Sequence, residues 1–234
     1  VEKPYVKLVI AVPSVRPDRR QAIRETWLKW ADDRVILRFF TESPKSEEYA
    51  EYAQESSMYR DIVPQDLGGG MNFGLKLLLA MRWMSDRYSF DFFLRLDDDY
   101  FLCLERLLHE LECLSSTGSQ SSPFFAGYKV CGHKHDGAYV DEAYILFSSV
   151  VVDRVLATSN LNCSGFGSLT AGAWLRVGGP GNPSGDVAWV HDYRVDQKGS
   201  FWLRGREQYE PVCVRSLGIH HSYPTRMNRL WLEV

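Results

Sequence analysis

No run of about 18 apolar residues occurs anywhere in the chain, which excludes a membrane-spanning helix within it. A basic-then-apolar leader is also missing, and the first residue, Val1, stands close to the first predicted strand. The chain therefore reads as an excised domain whose targeting segment, if it has one, lies outside it. An excess of basic charge is lacking too: the net charge is −3. That excludes the global positive field of a nucleic-acid-binding protein or a basic membrane-binding face, so an anionic partner would have to meet a local basic site. Close cysteine pairs are absent. Cys103, Cys113, Cys131, Cys163 and Cys213 hold no C-x-x-C spacing, which argues against a zinc or redox motif. Their number is odd, so at least one thiol is free or bonds elsewhere. Cys103 and Cys113 fall on different faces of one predicted helix, which argues against a bond between them. Internal repeats are absent as well. A single sequon, Asn162-Cys163-Ser164, implies a secretory route only if it is used.

What is present is an ordinary globular composition. Of 234 residues, 45% are hydrophobic and 24% charged, enough for a sizeable core. Seven Trp and twelve Tyr suit carbohydrate-stacking platforms, although cores use the same rings.

Strands and helices alternate along the chain. Tyr5 to Val12 predicts a buried strand, and Arg16 to Trp30 a helix with Pro17 in its first turn and Ile23, Trp27 and Trp30 on one stripe. Val35 to Phe40 predicts a second strand. Glu42 to Glu55 predicts a polar surface helix with loops. Met71 to Tyr88 predicts a helix and Phe92 to Leu96 a third strand, ending in Asp97-Asp98-Asp99. A helix follows over Leu102 to Leu114, then a polar loop over Ser115 to Pro123, and strands near Phe124 to Tyr128 and Ala143 to Phe147. Phe166 to Leu175 predicts a short buried helix. Val177 to Gly185, rich in Gly and Pro, predicts a loop. The final part reads as irregular, with a strand near Val212 to Ile219. Alternation of this kind argues for an α/β sandwich with its site at the carboxyl ends of the strands, where Asp97 to Asp99 fall.

Three adjacent carboxylates repel one another in a tight loop, and a bound divalent cation relieves that repulsion. Mg²⁺ or Mn²⁺ takes one or two protein carboxylates and completes its shell with phosphate oxygens and water, so D-x-D after a buried strand fits a metal–diphosphate site. Taken alone, the run could equally be a solvated acidic turn.

Its surroundings shift that balance. Arg19-Arg20-Gln21-Ala22-Ile23-Arg24-Glu25-Thr26-Trp27 resembles the R-R-x-A-I-R-x-T-W signature of the β-1,3-galactosyl- and β-1,3-N-acetylglucosaminyltransferases, glycosyltransferase family 31. Phe93 to Phe101 resembles that family's metal motif. Asp61-Ile62 through Asn72-Phe73-Gly74-Leu75-Lys76 resembles its D-I pair followed by N-L-T-x-K, and Tyr139 to Tyr144 its aromatic strand. His220 to Trp231 resembles its C-terminal pattern of His, Met and Trp. The resemblance runs over nearly the whole chain.

The resemblance implies a single GT-A type α/β domain over 1–234, with a mixed, mainly parallel central sheet flanked by helices. The nucleotide-sugar part would be about 1–100 and the acceptor part about 101–234. It implies a UDP-sugar donor, with galactose favoured over N-acetylglucosamine, a glycan or glycoprotein acceptor, and Mn²⁺ or Mg²⁺. It also implies a type II membrane protein of the Golgi or endoplasmic reticulum lumen whose anchor is not in this chain. Asp99 would bind the metal directly, with His220 as the remote ligand and His221 as its substitute. Asp97 would face the donor ribose or sugar, and Asp98 would meet the donor sugar or orient the loop. Arg16, Arg20 and Asp61 join them as donor-side candidates, while Arg24 reads equally as a structural ion-pair residue. The ion would neutralise the leaving diphosphate, and a carboxylate would take the acceptor's proton as configuration inverts.

One departure stands out. The family places that carboxylate in an E-D-V type triplet before a short helix ending in G-x-W. Here Gly172-Ala173-Trp174 matches the end, but the base position falls on Ser168, whose hydroxyl cannot usefully accept a proton at neutral pH. Three readings stay open. Asp192 or Asp186 supplies the base, Asp192 being favoured within Val190-His191-Asp192-Tyr193-Arg194, although it could simply pair with Arg194. Alternatively the protein binds UDP-sugar or glycan without turnover, as a catalytically weak or inactive, chaperone-like family member. In the third reading the alignment is shifted or the position altered. A metal phosphohydrolase is a remote competitor, because no second His/Asp cluster accompanies the Asp run.

Overall fold

The computed structural model describes residues 2–43, 49–67, 72–116, 122–132, 137–159, 161, 163, 167–176, 187–196 and 212–234. Its first strand, β1 (Tyr5–Pro13), is short, β-branched and apolar on both faces. That is the composition of a strand covered from both sides. Leu8, Ile10 and Val12 point into one core, Val9 and Ala11 into another. β2 (Val35–Glu42) and β4 (Ser89–Leu96) flank β1 in parallel, and β3 (Ile62–Gln65) adds to β2. β7 (Gly137–Ser148) runs antiparallel to β4, and β6 (Phe124–Gly132) antiparallel to β7. β8 (Ala188–His191) closes the row in parallel with β6, giving one seven-stranded sheet ordered β3-β2-β1-β4-β7-β6-β8. The expected α/β architecture with a mixed, mainly parallel sheet in a single domain is what the chain adopts.

Helices cover both faces. Ile23 and Trp27, from α1 (Pro17–Glu25) and the 3₁₀ turn after it, share the first core with Leu107, Leu108 and Leu111 of α4 (Leu104–Ser116). Met227 and Leu230 of α8 (Pro224–Leu232) join them. The second core holds Leu77, Met81 and Met84 of α3 (Phe73–Arg87), with valines of α5 (Ser149–Ala157) and Trp174 of α6 (Gly167–Arg176). α2 (Tyr49–Tyr59) buries no residue fully and rests on the first core through the partly buried Tyr52. Among the described residues no helix is long and apolar enough to cross a membrane.

A second, three-stranded sheet joins the tail to the acid loop. In it, β10 (Gly218–Ile219) pairs antiparallel with β5 (Phe101–Leu102) and parallel with β9 (Val195–Asp196). This pairing corrects two sequence expectations. The helix expected from Leu102 begins at Leu104, because Phe101 and Leu102 are spent on β5. The strand expected over Val212 to Ile219 is instead a helical turn, α7 (Val212–Arg215), followed by the two residues of β10. A disulfide between Cys103 and Cys213 fixes that turn against α4, and Arg106 donates to the Cys213 carbonyl at 3.2 Å. The helix expected over Arg16 to Trp30 breaks at Thr26, whose hydroxyl donates back to the Ala22 carbonyl at 2.6 Å. Trp27 then turns inward and its Nε1 donates to the Tyr100 carbonyl at 3.0 Å, directly behind the acid run. The loop expected at Val177 to Gly185, the sequon residue Asn162 and the candidate base Asp186 lie outside the described residues.

Candidate active site

β1, β2, β3 and β4 are parallel, so their carboxyl ends meet along one edge of the sheet. Asp97, Asp98 and Asp99 leave the end of β4 there, and each carboxylate has different partners. Asp97 pairs with Arg95 at 2.6 Å and stands 3.4 Å from His220 Nε2. Asp98 turns toward α1, where Arg19 Nη1 lies at 2.6 Å and the Ser14 hydroxyl donates at 2.8 Å. Asp99 faces His220 Nε2 at 3.1 Å and His221 Nδ1 at 3.6 Å, with Arg19 at 3.9 Å.

The histidines reach this point because β10 carries the tail back across β5. Ser222 N–H donates to the Asp99 carbonyl at 2.7 Å, and its hydroxyl donates to Ile219 O at 2.9 Å. These bonds hold His221 at φ 54°, a conformation uncommon for a residue other than glycine. The two imidazoles stack with centroids 4.0 Å apart.

The charges are strongly coupled. Burial disfavours the charge on His220, but the hydrogen bonds it donates to Asp97 and Asp99 outweigh that and push its pKa up to about 10. Burial likewise opposes the charge on Asp97 and Asp99. Arg95 and His220 hold Asp97 below the usual carboxylate range, and His220 does the same for Asp99. Asp98 moves the other way: burial raises its pKa beyond what Arg19 and Ser14 take back. Without a metal, a protonated His220 thus sits where the acid pair needs positive charge.

Asp99, His220 and His221 each offer a ligand atom, all within 4.8 Å of one another. One carboxylate oxygen and two imidazole nitrogens fit a divalent cation. The acid run opens onto a groove of about 430 Å³ whose lining includes Arg16, Arg19, Lys76 and Arg95. Glu42, Asp97 and Asp98 line it too and pair with Lys76, Arg95 and Arg19, which leaves a slight excess of positive charge and three paired cations beside a candidate cation site.

The remaining expected site residues fall elsewhere. Arg16 lines the groove but is exposed and pairs with Asp18 at 3.1 Å. Arg20 is buried against Glu55 at 2.5 Å, in the wall of a neighbouring groove between α1 and α2. Asp61 accepts two bonds from Arg24, both at 2.8 Å, and Arg24 also reaches Glu55. Asp192 follows β8, where Arg194 holds it at 2.7 Å and in turn pairs with Glu110. Burial opposes the charge on Asp192, but the Arg194 hydrogen bonds win and lower its pKa. Registers through Arg95, Ile145, Gly127 and His191 put Asp192 level with the end of β4, three strands away, or about 14 Å. Ser168 lies in the first turn of α6.

Arg19, Ser14, Arg95 and Lys76 are the site residues that sequence reasoning did not single out. The available signal was the Arg19-Arg20 pair at the start of α1, where one arginine faces the core and its neighbour faces the acid run.

A mixed α/β sheet with a D-x-D run at a central strand's carboxyl end, a distant histidine and a groove carrying paired cations defines a GT-A type glycosyltransferase. Comparison with known proteins places it further. Residues 18–160 match the galactosyltransferase family. Beta-1,3-galactosyltransferase 1 of mouse and of human are each 28% identical over 99% of this chain and 74% of their own length. Mouse beta-1,3-galactosyltransferase 2 is 30% identical over 56% of this chain and 33% of its own length. The chain belongs to the galactosyltransferase family, glycosyltransferase family 31, and is a glycosyltransferase enzyme.

Proposed function

We propose that the protein transfers a hexose from a UDP-sugar to a glycan or glycoprotein hydroxyl with inversion, forming a β-1,3 linkage. UDP-galactose is the favoured donor and UDP-N-acetylglucosamine the next. The observation that carries this reading is the meeting of Asp97, Asp99 and His220 at the mouth of that groove. Asp99 and His220 would hold Mn²⁺, with Mg²⁺ as a possible substitute and His221 within reach of the same point. Bound there, the ion supplies charge neutralisation for the leaving diphosphate. Arg19, fixed by Asp98, and Lys76 would orient the phosphates, and Asp97 would face the donor ribose or sugar. In this reading residues up to about 100 bind the nucleotide-sugar and the rest receive the acceptor.

A base must still take the acceptor proton. Asp192 is the candidate among the described residues and Asp186 the candidate beyond them. Asp192 would have to exchange Arg194 for the acceptor hydroxyl, because a carboxylate with a lowered pKa is a weak base. Residence in the Golgi or endoplasmic reticulum lumen as a type II membrane protein goes with this proposal, and the Cys103–Cys213 disulfide suits such an oxidising compartment.

The test is UDP release from a panel of UDP-sugars with sugar acceptors, in Mn²⁺ and in EDTA. Mn²⁺-dependent release, fastest with UDP-galactose, is the expected result, and Asp192→Asn should slow it by at least about 100-fold if Asp192 is the base. UDP binding without turnover would instead support the non-catalytic reading, with Ser168 as its cause.

A further inference from the structure

The tail that brings His220 to the acid run carries one more ring past the candidate metal point. Ser222 is tied to the Asp99 carbonyl through its N–H at 2.7 Å. Pro224 then opens α8, and the Met227 N–H closes the first turn on the Tyr223 carbonyl at 2.8 Å. Met227 and Leu230 anchor that helix in the first core. The backbone of Tyr223 is therefore fixed on both sides, while its side chain stays outside the core.

The Tyr223 ring ends a run of near-parallel planar groups. Tyr100 stacks on His220 with 24° between their planes, His220 on His221 with 19°, and His221 on Tyr223 with 27°. On Tyr223 lies the guanidinium of Arg19, its carbon 4.9 Å from the ring centroid. The run thus leads from the buried Tyr100, through the two histidines, to a cation on α1.

Arg19 is held from two directions. Asp98 takes Nη1 at one edge, at 2.6 Å, and the tyrosine ring covers a face. Asp98 is itself fixed by the Ser14 hydroxyl at 2.8 Å. Among the described residues, Asp98 accepts the one hydrogen bond that the Arg19 side chain makes. A guanidinium has further N–H donors in the same plane, set as a fork that matches two phosphate oxygens. Arg19 lines the groove beside the acid run, so the tilt of its plane decides whether those donors meet a phosphate group there. A guanidinium set before the ligand arrives also loses less rotamer freedom on binding.

We propose that Tyr223 is a positioning residue for the donor's diphosphate, its ring setting the plane of Arg19 so that the guanidinium's open edge receives a phosphate group. This deepens the proposed transferase reading and rests on it. Tyr223 acts through Arg19 and not on the phosphate itself. The contact uses the ring's π face and has no need of the hydroxyl.

The test is calorimetric titration of UDP in Mn²⁺ into the wild type, Tyr223→Leu, Tyr223→Phe, Arg19→Ala and the Arg19→Ala/Tyr223→Leu double variant. Tyr223 is 49% exposed, so its truncation leaves both cores intact. Tyr223→Leu should weaken UDP about threefold to tenfold, the range of one cation–π contact. Tyr223→Phe should restore wild-type affinity. Once Arg19 is alanine, removing the ring should cost nothing further, a coupling that a merely structural tyrosine would not show. Mn²⁺ binding without nucleotide, followed by electron paramagnetic resonance, should be alike in Tyr223→Leu and the wild type. Undiminished UDP affinity in Tyr223→Leu, a loss shared by Tyr223→Phe, or additive losses in the double variant would overturn the role of Tyr223 and leave the transferase reading intact. An equal loss in Mn²⁺ binding alone would overturn it too, because the ring would then act through His221. Failure of the wild type to bind UDP in Mn²⁺ would instead overturn the transferase reading beneath it.

Discussion

Trp27 couples the first core to the chemistry. Its ring is fully buried and its Nε1 supplies the hydrogen bond to the Tyr100 carbonyl, one residue past the acid run. Trp27→Phe keeps most of the packing and removes that hydrogen bond. The expected cost is about 1–3 kcal/mol in urea unfolding, with weaker Mn²⁺ binding as the loop loosens. Gly218→Ala should act on the same loop from the other side. Its Cβ would stand 2.2 Å from Tyr100 Cε1 and 2.5 Å from the Phe101 carbonyl oxygen, and Tyr100 in turn stacks on His220. A lower melting temperature and a weaker metal titration should appear together. At this scale the acid run and His220 were legible because their spacing along the chain resembles a family pattern. Arg19 was not, since choosing between it and Arg16 or Arg20 needs the rotation of α1 about its axis, which only packing sets.

Among the elements, α2 is held in an unusual way. It buries no residue fully; beside Tyr52, partly buried against the first core, its fastening is polar: Glu55 receives Arg20 and Arg24, while the Arg24 guanidinium lies 3.9 Å from the Tyr59 ring. Arg20 is buried, whereas the half-buried Arg24 keeps Asp61, so Glu55→Ala leaves mainly the Arg20 charge undercompensated and should cost about 1–3 kcal/mol in denaturant unfolding. The pH dependence follows in sign. Burial opposes the charge on Glu55, but Arg20 and Arg24 lower its pKa. Its contribution is therefore whole above the ordinary glutamate value of 4.5 and is lost as pH falls below it. Acid titration of the wild type should show a drop there that Glu55→Ala lacks. β1, β2, α3 and β4 were readable because each is one long periodic or apolar run. β3 is four residues interrupted by Pro64, and the valines of α5 look strand-like, so packing rather than propensity decides both. The tail read as irregular although Pro224 opens α8, because its short apolar stripe of Met227 and Leu230 has meaning only against the core it joins.

For the molecule as a whole, a covalent link among the described residues ties the C-terminal tail to the start of α4 beside the site. Cys103 and Cys213 are 110 residues apart, and α7, held by Cys213, leads directly into β10 and the two histidines. Closing so long a loop is worth about 4–5 kcal/mol in the chain-entropy account. Reduction should therefore lower the melting temperature on the order of 10 °C and weaken metal binding, while Cys113 and Cys163, the described free thiols, can be alkylated beforehand. Spacing alone could not reveal that pairing, since the two cysteines meet only through the second sheet. The proposed function rests on the Asp97–Asp99 run and His220 forming a divalent-metal site for UDP. Calorimetric titration of UDP into the protein, in Mn²⁺ and in EDTA, with Asp99→Ala and His220→Ala beside the wild type, tests it most directly. UDP binding should need Mn²⁺ and fall at least about tenfold in both variants. Binding of equal strength in EDTA, or in Asp99→Ala with Mn²⁺, would contradict it.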